Sequence, residues 1–174
     1  MANAVTKIVT ETSTSSSLTF TSIPATYDDL MIIASAKTDT TGTNMASNSW
    51  YMRFNGDTSA AYGFAWFGNG DASQYYPVTP SSSSLVFPGV ASSNSSNTGW
   101  GHFWIHIPGY KETGNNRSIQ YAGGFSMGNS TLAGCGRGAG NWDTASAITS
   151  ILIGPQYGSF VSGTSMTMYG ISNS

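Results

Sequence analysis

Charged residues are the scarcest class in this chain. Only 8% of its 174 residues are Asp, Glu, Lys or Arg, whereas an average soluble domain contains roughly 25%. The six basic residues are scattered and the formal net charge is -2, but binding to nucleic acid requires clustered Lys and Arg that neutralise phosphates. We therefore expect no nucleic-acid partner. The polarity of the chain comes instead from 28 Ser, 20 Thr and 12 Asn.

Cysteine and long apolar runs are also scarce. Cys135 is the only cysteine, which excludes an internal disulfide and a multi-cysteine metal site. No His or Lys stands beside it in the sequence, so we interpret it as a structural residue and not a nucleophile. No apolar run approaches the roughly 18 residues of a membrane span, and the first residues do not have the pattern of a secretory signal. We therefore expect neither a membrane partner nor secretion.

Helix-forming residues are few, since the chain has two Glu, three Lys and 21 Gly. Short apolar or alternating segments separated by polar turns predict β strands instead. Such segments occur at residues 5–11, 17–23, 30–34, 48–55, 85–87, 101–107, 117–127, 148–153 and 165–171. Residues 60–67 fit either a strand or a helical turn. We predict one all-β domain over residues 1–174, an antiparallel β-sandwich of eight or nine strands, with residues 1–16 as an N-terminal strand or arm.

Alternation along the predicted strands separates core positions from surface positions. It predicts burial of Phe20, Trp50, Met52, Phe54, Phe103, Ile105, Met166 and Met168. His102, Trp104 and His106 face the other side of their strand. The two histidines are about 13 Å apart in a strand, too far to share one zinc ion. Asn55-Gly56 predicts a tight turn, because both residues tolerate a positive φ.

Motifs that elsewhere carry catalysis have other interpretations here. Gly124-Phe-Ser-Met-Gly128 matches G-x-S-x-G, but no helix follows it, and we interpret it as the turn at a strand end. Residues 128–141 contain alternating glycines without the βαβ context of a dinucleotide site. These glycines predict a loop in which backbones approach closely. A location of this loop around the symmetry axis of an oligomer is an open alternative. Asp28-Asp29 indicates a turn and not a calcium site. We expect no catalytic residue, cofactor or metal, and hence no enzyme.

Aromatic residues exceed what one small core requires. The surplus comprises Tyr51, Tyr62, Trp66, Tyr75, Tyr76, Trp100, Trp104 and Trp142. They are compatible with a subunit interface, where Tyr and Trp are enriched, or with a sugar-binding surface. We favour the interface, because it requires no special set of polar groups. The candidate interface residues are Val5, Lys7, Ile8, Val9, Trp104 and Trp142, and the segment from Val5 to Glu11 is a candidate edge strand for β-augmentation.

Four segments in order resemble virion surface proteins of tailed bacteriophages. They are Leu18–Leu30 (LTFTSIPATYDDL), Ala36–Asp39 (AKTD), Tyr51–Asp57 (YMRFNGD) and Met168–Ile171 (MYGI). Proteins of this kind are capsid decoration or cement proteins, head fibres and tail-fibre tips. The resemblance implies a jelly-roll-like β-sandwich that is often trimeric, and it brings no catalytic residues to transfer.

The chain shows no attachment region or shaft besides the β-rich part, which favours a small decoration protein over a fibre. The hypothesis is a cement protein that binds the major capsid protein, forms a homotrimer and stabilises the head. It would lie on the outer surface of the virion after assembly in the host cytoplasm. The alternative is the receptor-binding tip of a tail fibre or head fibre, which binds a host surface or carbohydrate.

Overall fold

Alternating burial defines the strands in a computed structural model of the chain, in which residues 4–41, 48–69, 73–91, 99–126 and 133–173 are described. The side chains of residues 69–80 lie outside this description. The described residues form twelve strands and no helix. The strands are β1 (Val5–Thr12), β2 (Leu18–Phe20), β3 (Asp29–Ala36), β4 (Ser49–Phe54), β5 (Tyr62–Asn69), β6 (Ser73–Ser82), β7 (Leu85–Pro88), β8 (Gly101–Pro108), β9 (Arg117–Ser126), β10 (Ala133–Trp142), β11 (Ile151–Pro155) and β12 (Ser165–Ile171).

Two antiparallel sheets contain these strands. The large sheet has eight strands in the order β1-β12-β3-β8-β9-β10-β5-β6, and the small sheet has four in the order β2-β11-β4-β7. Every neighbouring pair is antiparallel. The prediction of an all-β fold is confirmed, whereas the predicted number of eight or nine strands is wrong.

The core lies between the two sheets and is rich in aromatic rings. All eight residues that alternation predicts to be buried are buried, which confirms the predicted faces of those strands. Trp50 of the small sheet stacks on Phe103 of the large sheet, with ring centroids 4.4 Å apart. The indole Nε1 of Trp50 also donates to the carbonyl oxygen of Pro88 at 3.1 Å. The stacked pair joins the inner faces of the two sheets.

The glycine-rich segment is a strand, which corrects the loop predicted over 128–141. Residues 133–142 form β10 and pair with β9 on one side and β5 on the other; residues 127–132 lie outside the described residues. Glycine-rich composition usually indicates a turn, but here the glycines alternate on the inner face. A Cβ on Gly138 would lie 2.4 Å from the carbonyl oxygen of Ala65, and one on Gly140 would lie 2.5 Å from Cδ2 of Leu85. Glycine therefore allows close packing around this strand.

The sequence left β5 ambiguous and did not predict β6, and both strands lie at the same end of the large sheet. Residues 60–67, which fit either a strand or a helical turn by sequence, contribute to β5. The sequence pattern does not predict β6, because Ser and two Pro residues interrupt its apolar alternation. Both strands extend the sheet beyond β8 by way of β9 and β10.

The predicted turn at Asn55-Gly56 is confirmed. Asn55 and Gly56 have φ values of 51° and 70°, and the amide of Asp57 donates to the carbonyl oxygen of Phe54 at 2.8 Å. The Asp57 carboxylate accepts 2.8 Å hydrogen bonds from the amide of Ser59 and from Nε1 of Trp142. Hydrogen bonds from the side chain of Ser59, from Trp142 and from the Ser59 amide lower the pKa of Asp57. The turn is thus linked to β10 by a carboxylate.

This lowered pKa predicts how stability responds to acid. Since the Asp57 pKa is lowered in the folded state, its contribution to stability is present above the ordinary pKa near 3.8 and is lost as the pH falls through the lower folded value. We expect Asp57→Asn to make the melting temperature fall less steeply between about pH 5 and pH 2 than in the wild type. Thermal unfolding followed by circular dichroism measures this, with the exposed Asp143→Asn as the matched control. Parallel curves for the wild type and Asp57→Asn would contradict the prediction.

Candidate functional site

The outer face of the large sheet exposes large apolar side chains. On β8 the side chains of His102, Trp104 and His106 point away from the core, as alternation predicts, while Phe103 and Ile105 point inward. Trp104 is 41% exposed, although tryptophan is usually well buried. Ile33 of β3 and Phe67 of β5 are each 49% exposed. Three of the exposed large hydrophobic residues therefore belong to one face of one sheet.

These three side chains lie in one cross-strand row. The register places the row along Thr10, Thr167, Ile33, Trp104, Ala122, Arg137 and Phe67. Residues directly opposite each other share a face, and neighbouring strands are about 4.8 Å apart. The row is therefore a continuous surface feature across seven strands.

A shallow groove of about 470 Å³ opens beside Trp104. Its lining consists of Met31, Ile33, Ala34, His102, Phe103, Trp104, Ala122 and Gly123. The groove exists because the β9 residue opposite Trp104 is the small Ala122, and because His102 faces Gly124. Besides the indole N–H of Trp104, the polar side-chain atoms of this lining come from His102, so the groove presents mainly apolar atoms.

Basic groups surround the groove. The guanidinium of Arg137 lies over the ring of Phe67, with Cζ 4.7 Å from the ring centroid, which is a cation–π contact. His102 lies two positions from Trp104 on the same strand, and Lys7 and His106 occupy the neighbouring row on β1 and β8. A carboxylate of this face, Asp29, lies at the end of β3.

Asp29 is engaged at the far end of the sheet. Its Oδ2 lies 3.2 Å from Nε2 of His106, and its Oδ1 accepts a 3.1 Å hydrogen bond from the amide of Gly109. Burial raises the pKa of Asp29, but hydrogen bonds from Gly109, Asn173 and His106 outweigh it and lower the pKa overall. The carboxylate therefore pairs with His106, whereas no ion pair joins it to Lys7 or Arg137 among the described residues.

The predicted interface residues of the N-terminal strand lie at an edge of the large sheet. Within the described residues β1 pairs with β12 alone, and a bulge at Ile8 interrupts its register between Lys7 and Val9. Val5 is 63% exposed and Lys7 is exposed, whereas Ile8 and Val9 are half-buried against the core. An edge strand of this kind is available for pairing with another chain.

The assignment of Trp142 to an interface is corrected by its position. Its side chain is 2% exposed, packs with its ring centroid 5.4 Å from that of Phe54 and donates its Nε1 hydrogen to Asp57. A side chain enclosed in its own protomer has no surface for a partner. Trp104 lies on the exposed face instead, so the two tryptophans differ in their environment.

The surplus of aromatic residues is smaller than the sequence predicts. Tyr62, Trp66 and Trp142 are buried, because β5 and β10 enlarge the core. Tyr51 and Trp100 are half-buried, and the side chains of Tyr75 and Tyr76 lie outside the described residues.

Among the groove-lining, apolar and basic members of the exposed row, sequence reasoning does not identify Ile33, Ala122, Arg137 and Phe67. For Ile33 the sequence did contain an indication of exposure. Residues 30–34 are apolar on both faces, and one of those faces had to point away from the core. The other three contribute to the row through strand pairing, and nothing in their local sequence indicates it.

The other motifs do not form a competing site. Gly124 and Ser126 lie at the end of β9, and Met127 and Gly128 lie outside the described residues. Cys135 is exposed on the outer face of β10. Across the part of the chain that the structure describes, no group of three or more His, Cys, Asp or Glu is placed to hold a metal ion. Nor does any helix in that part have the length and apolar character to span a membrane.

A second groove, of about 500 Å³, lies at the end of the large sheet and is polar. Two of its charged groups pair with each other, since Nζ of Lys111 lies 3.1 Å from Oδ1 of Asp28, while Asp29 contacts His106 outside the groove lining. The buried Arg117 also contributes to its lining and donates from Nη1 to the carbonyl oxygen of Asn115 at 2.7 Å. The lining carries both acidic and basic side chains, and Nε and Nη2 of the buried Arg117 have no hydrogen-bond partner among the described residues.

Comparison of the chain with protein-family models, with curated proteins and with solved structures found no match.

Proposed function

We propose that this chain is a structural protein of a tailed-bacteriophage particle, a capsid decoration protein that binds the outer shell and stabilises the head. The observation that carries the proposal is the row from Ile33 through Trp104 to Phe67, an apolar strip on the exposed face of the large sheet in which Arg137 is the one charged residue. Exposed apolar patches on a folded protein mark interaction surfaces. The major capsid protein is the proposed partner.

We also propose that eight of the twelve strands form a jelly roll. Taken in chain order, these are β1, β2, β3, β4, β7, β8, β11 and β12. The first of them pairs with the last (β1–β12), the second with the seventh (β2–β11), the third with the sixth (β3–β8) and the fourth with the fifth (β4–β7). This is the pairing of one long antiparallel hairpin folded into two sheets. Viral capsid domains use this architecture, which supports a virion role.

The remaining four strands are insertions into this jelly roll. β5 and β6 lie between its fourth and fifth strands, and β9 and β10 lie between its sixth and seventh. They pair with one another and continue the large sheet beyond β8. The insertions supply Ala122, Arg137 and Phe67, and therefore much of the proposed docking row.

The chemistry of the groove favours a protein partner over a sugar. A receptor-binding fibre tip is the second candidate, because Trp104 is exposed beside an open groove and lectin domains also use the jelly roll. Recognition of sugar hydroxyls requires several placed polar groups. The groove offers the imidazole of His102 and the indole N–H of Trp104, and its apolar lining suits contact with a shell protein better.

Phage particles assembled with and without this chain test its proposed location on the shell. We expect particles assembled without this chain to contain DNA but to release it at a lower temperature than complete particles, because a protein that binds only the intact shell stabilises it by mass action. Adding the purified chain back should restore heat resistance, and adding Trp104→Ala should restore less. A map of the particle by electron cryomicroscopy should show the chain on the shell.

Two results would contradict this proposal. Particles without the chain that keep their heat resistance but fail to adsorb to cells would support a fibre tip instead. The proposed homotrimer is tested separately by light scattering of the purified chain, where an 18.2 kDa particle at micromolar concentration would contradict it.

A further inference from the structure

The groove beside Trp104 combines an apolar lining with a one-sided distribution of charge. Ile33 and Trp104 form its raised sides, and Ala122 leaves space between Trp104 and Arg137. Arg137 lies two strands from Trp104, which is about 10 Å, and His102 lies about 7 Å along β8 from Trp104. An aromatic or aliphatic side chain seated over Ala122 would therefore lie between two basic groups.

Charge argues against a second copy of this chain as the occupant of the face. In the three central rows of the sheet, the formally charged side chains among the described residues are Lys7 and Arg137, both of them basic. Pairing this face with itself would bring cations against cations, and like charges across an interface are unfavourable. A partner that carries carboxylates would be complementary.

Arg137 is positioned to bind such a carboxylate. Its guanidinium lies over the ring of Phe67, with Cζ 4.7 Å from the ring centroid. A guanidinium presents a planar fork of N–H donors whose geometry matches a carboxylate. The contact with Phe67 also restricts the long side chain before binding, which reduces the entropy that binding must overcome.

We propose that the groove binds an apolar side chain of a partner protein, an aromatic one above all, that is flanked by Asp or Glu. The apolar side chain seats over Ala122, between Trp104 and Arg137, and the flanking carboxylates pair with Arg137 and accept a hydrogen bond from His102. This inference rests on the proposed function and deepens it, because it states the chemistry of the shell surface that the decoration protein recognises.

Capped pentapeptides test this chemistry on the intact chain. The first has a central Phe flanked by Glu residues, the second has the same Phe flanked by Lys, and the third has Ala in place of Phe with the Glu residues kept. Binding is followed in the ¹⁵N-labelled protein by shifts of the Trp104 indole N–H and the Ala122 amide. We expect the Glu–Phe peptide to bind about tenfold more tightly than the Lys–Phe peptide, as for a few exposed charge pairs reversed in sign, and the Ala peptide to bind most weakly.

Variants separate the two parts of the site. Ala122→Leu fills the groove and should abolish binding without changing charge, and Arg137→Gln should remove most of the preference for Glu. Arg53→Gln is the matched control, because Arg53 lies over Tyr51 with Cζ 5.1 Å from the ring centroid, but on the small sheet. It should bind all three peptides as the wild type does.

Several outcomes would overturn the inference: equal or tighter binding of the Lys–Phe peptide, undiminished binding by Ala122→Leu, or no shift at Trp104 with any peptide. Shifts at Trp104 with neutral oligosaccharides and not with peptides would assign the groove to sugar. The proposed capsid location and the proposed binding chemistry of the groove can be contradicted independently. Absence of the chain from the capsid would leave a positive peptide result intact, and a negative peptide result would leave the position of the chain on the shell unchanged.

Discussion

Replacement of Trp50 by Ala is expected to lower the free energy of unfolding of this protein by about 3–5 kcal/mol. Trp50 is fully buried, stacks on Phe103 and has Phe87 and Tyr121 within 5.5 Å between ring centroids. Removing the indole leaves a cavity between the two sheets. It also removes a hydrogen bond to the carbonyl oxygen of Pro88, which the hydroxyl of Tyr121 then satisfies alone.

Trp104→Ala is the matched control for this measurement. Trp104 lies on the outer face and is 41% exposed, so its truncation should lower the free energy of unfolding by less than about 1 kcal/mol. Urea unfolding followed by far-ultraviolet circular dichroism compares the two variants, since the fluorescence of the remaining tryptophans would differ between them. Similar losses for both variants would mean that Trp50 does not join the two sheets.

The second large effect is expected at a glycine of β10. In Gly138→Ala the new Cβ would lie 2.4 Å from the carbonyl oxygen of Ala65 and 2.6 Å from Cβ of Trp66. The nearest obstacles belong to the backbone of β5 and to the first carbon of a side chain, which cannot rotate away. We expect a loss of about 1–3 kcal/mol or more in the free energy of unfolding, as for other overpacked interiors.

The neighbouring residue supplies the control for Gly138. Ala139 lies on the outer face of the same strand and is exposed, so Ala139→Val adds two methyl groups where space is available. Its effect should stay within about 0.5 kcal/mol. Thermal and urea unfolding of the two variants test the alternation of β10. Equal stability of Gly138→Ala and the wild type would show that β10 does not pack against β5 in this register.

Alternation of side chains made much of the fold predictable. A strand turns successive side chains to opposite faces, so the pattern around Trp50 and around Phe103 assigns core and surface without any knowledge of the partner strands. The outward position of Trp104 follows from the same pattern. The turn at Asn55-Gly56 was predictable for a similarly local reason, the tolerance of these two residues for positive φ.

Prediction from apolar alternation failed where the inner face of a strand carries glycines and therefore no side chains. Along β10 the inner positions from Gly134 to Gly140 are glycines, so apolar alternation is absent and composition alone indicates a loop. Residues distant in the chain explain why this glycine-rich segment is nevertheless a strand. Leu85 and Trp66 occupy the space that inner side chains of β10 would otherwise fill. The wrong assignment of Trp142 has the same origin, because no alternating residues precede it to indicate its face.

The candidate site depends most strongly on tertiary structure. The amino-acid sequence by itself determined an all-β chain, most of its strands, their inner faces and the exposure of Trp104, because these follow from local conformation and side-chain period. It did not determine that Ile33, Trp104, Ala122, Arg137 and Phe67 share one row. Strand order and register arise from pairing between distant segments and from packing against the second sheet, and only these bring the apolar strip and its basic groups together.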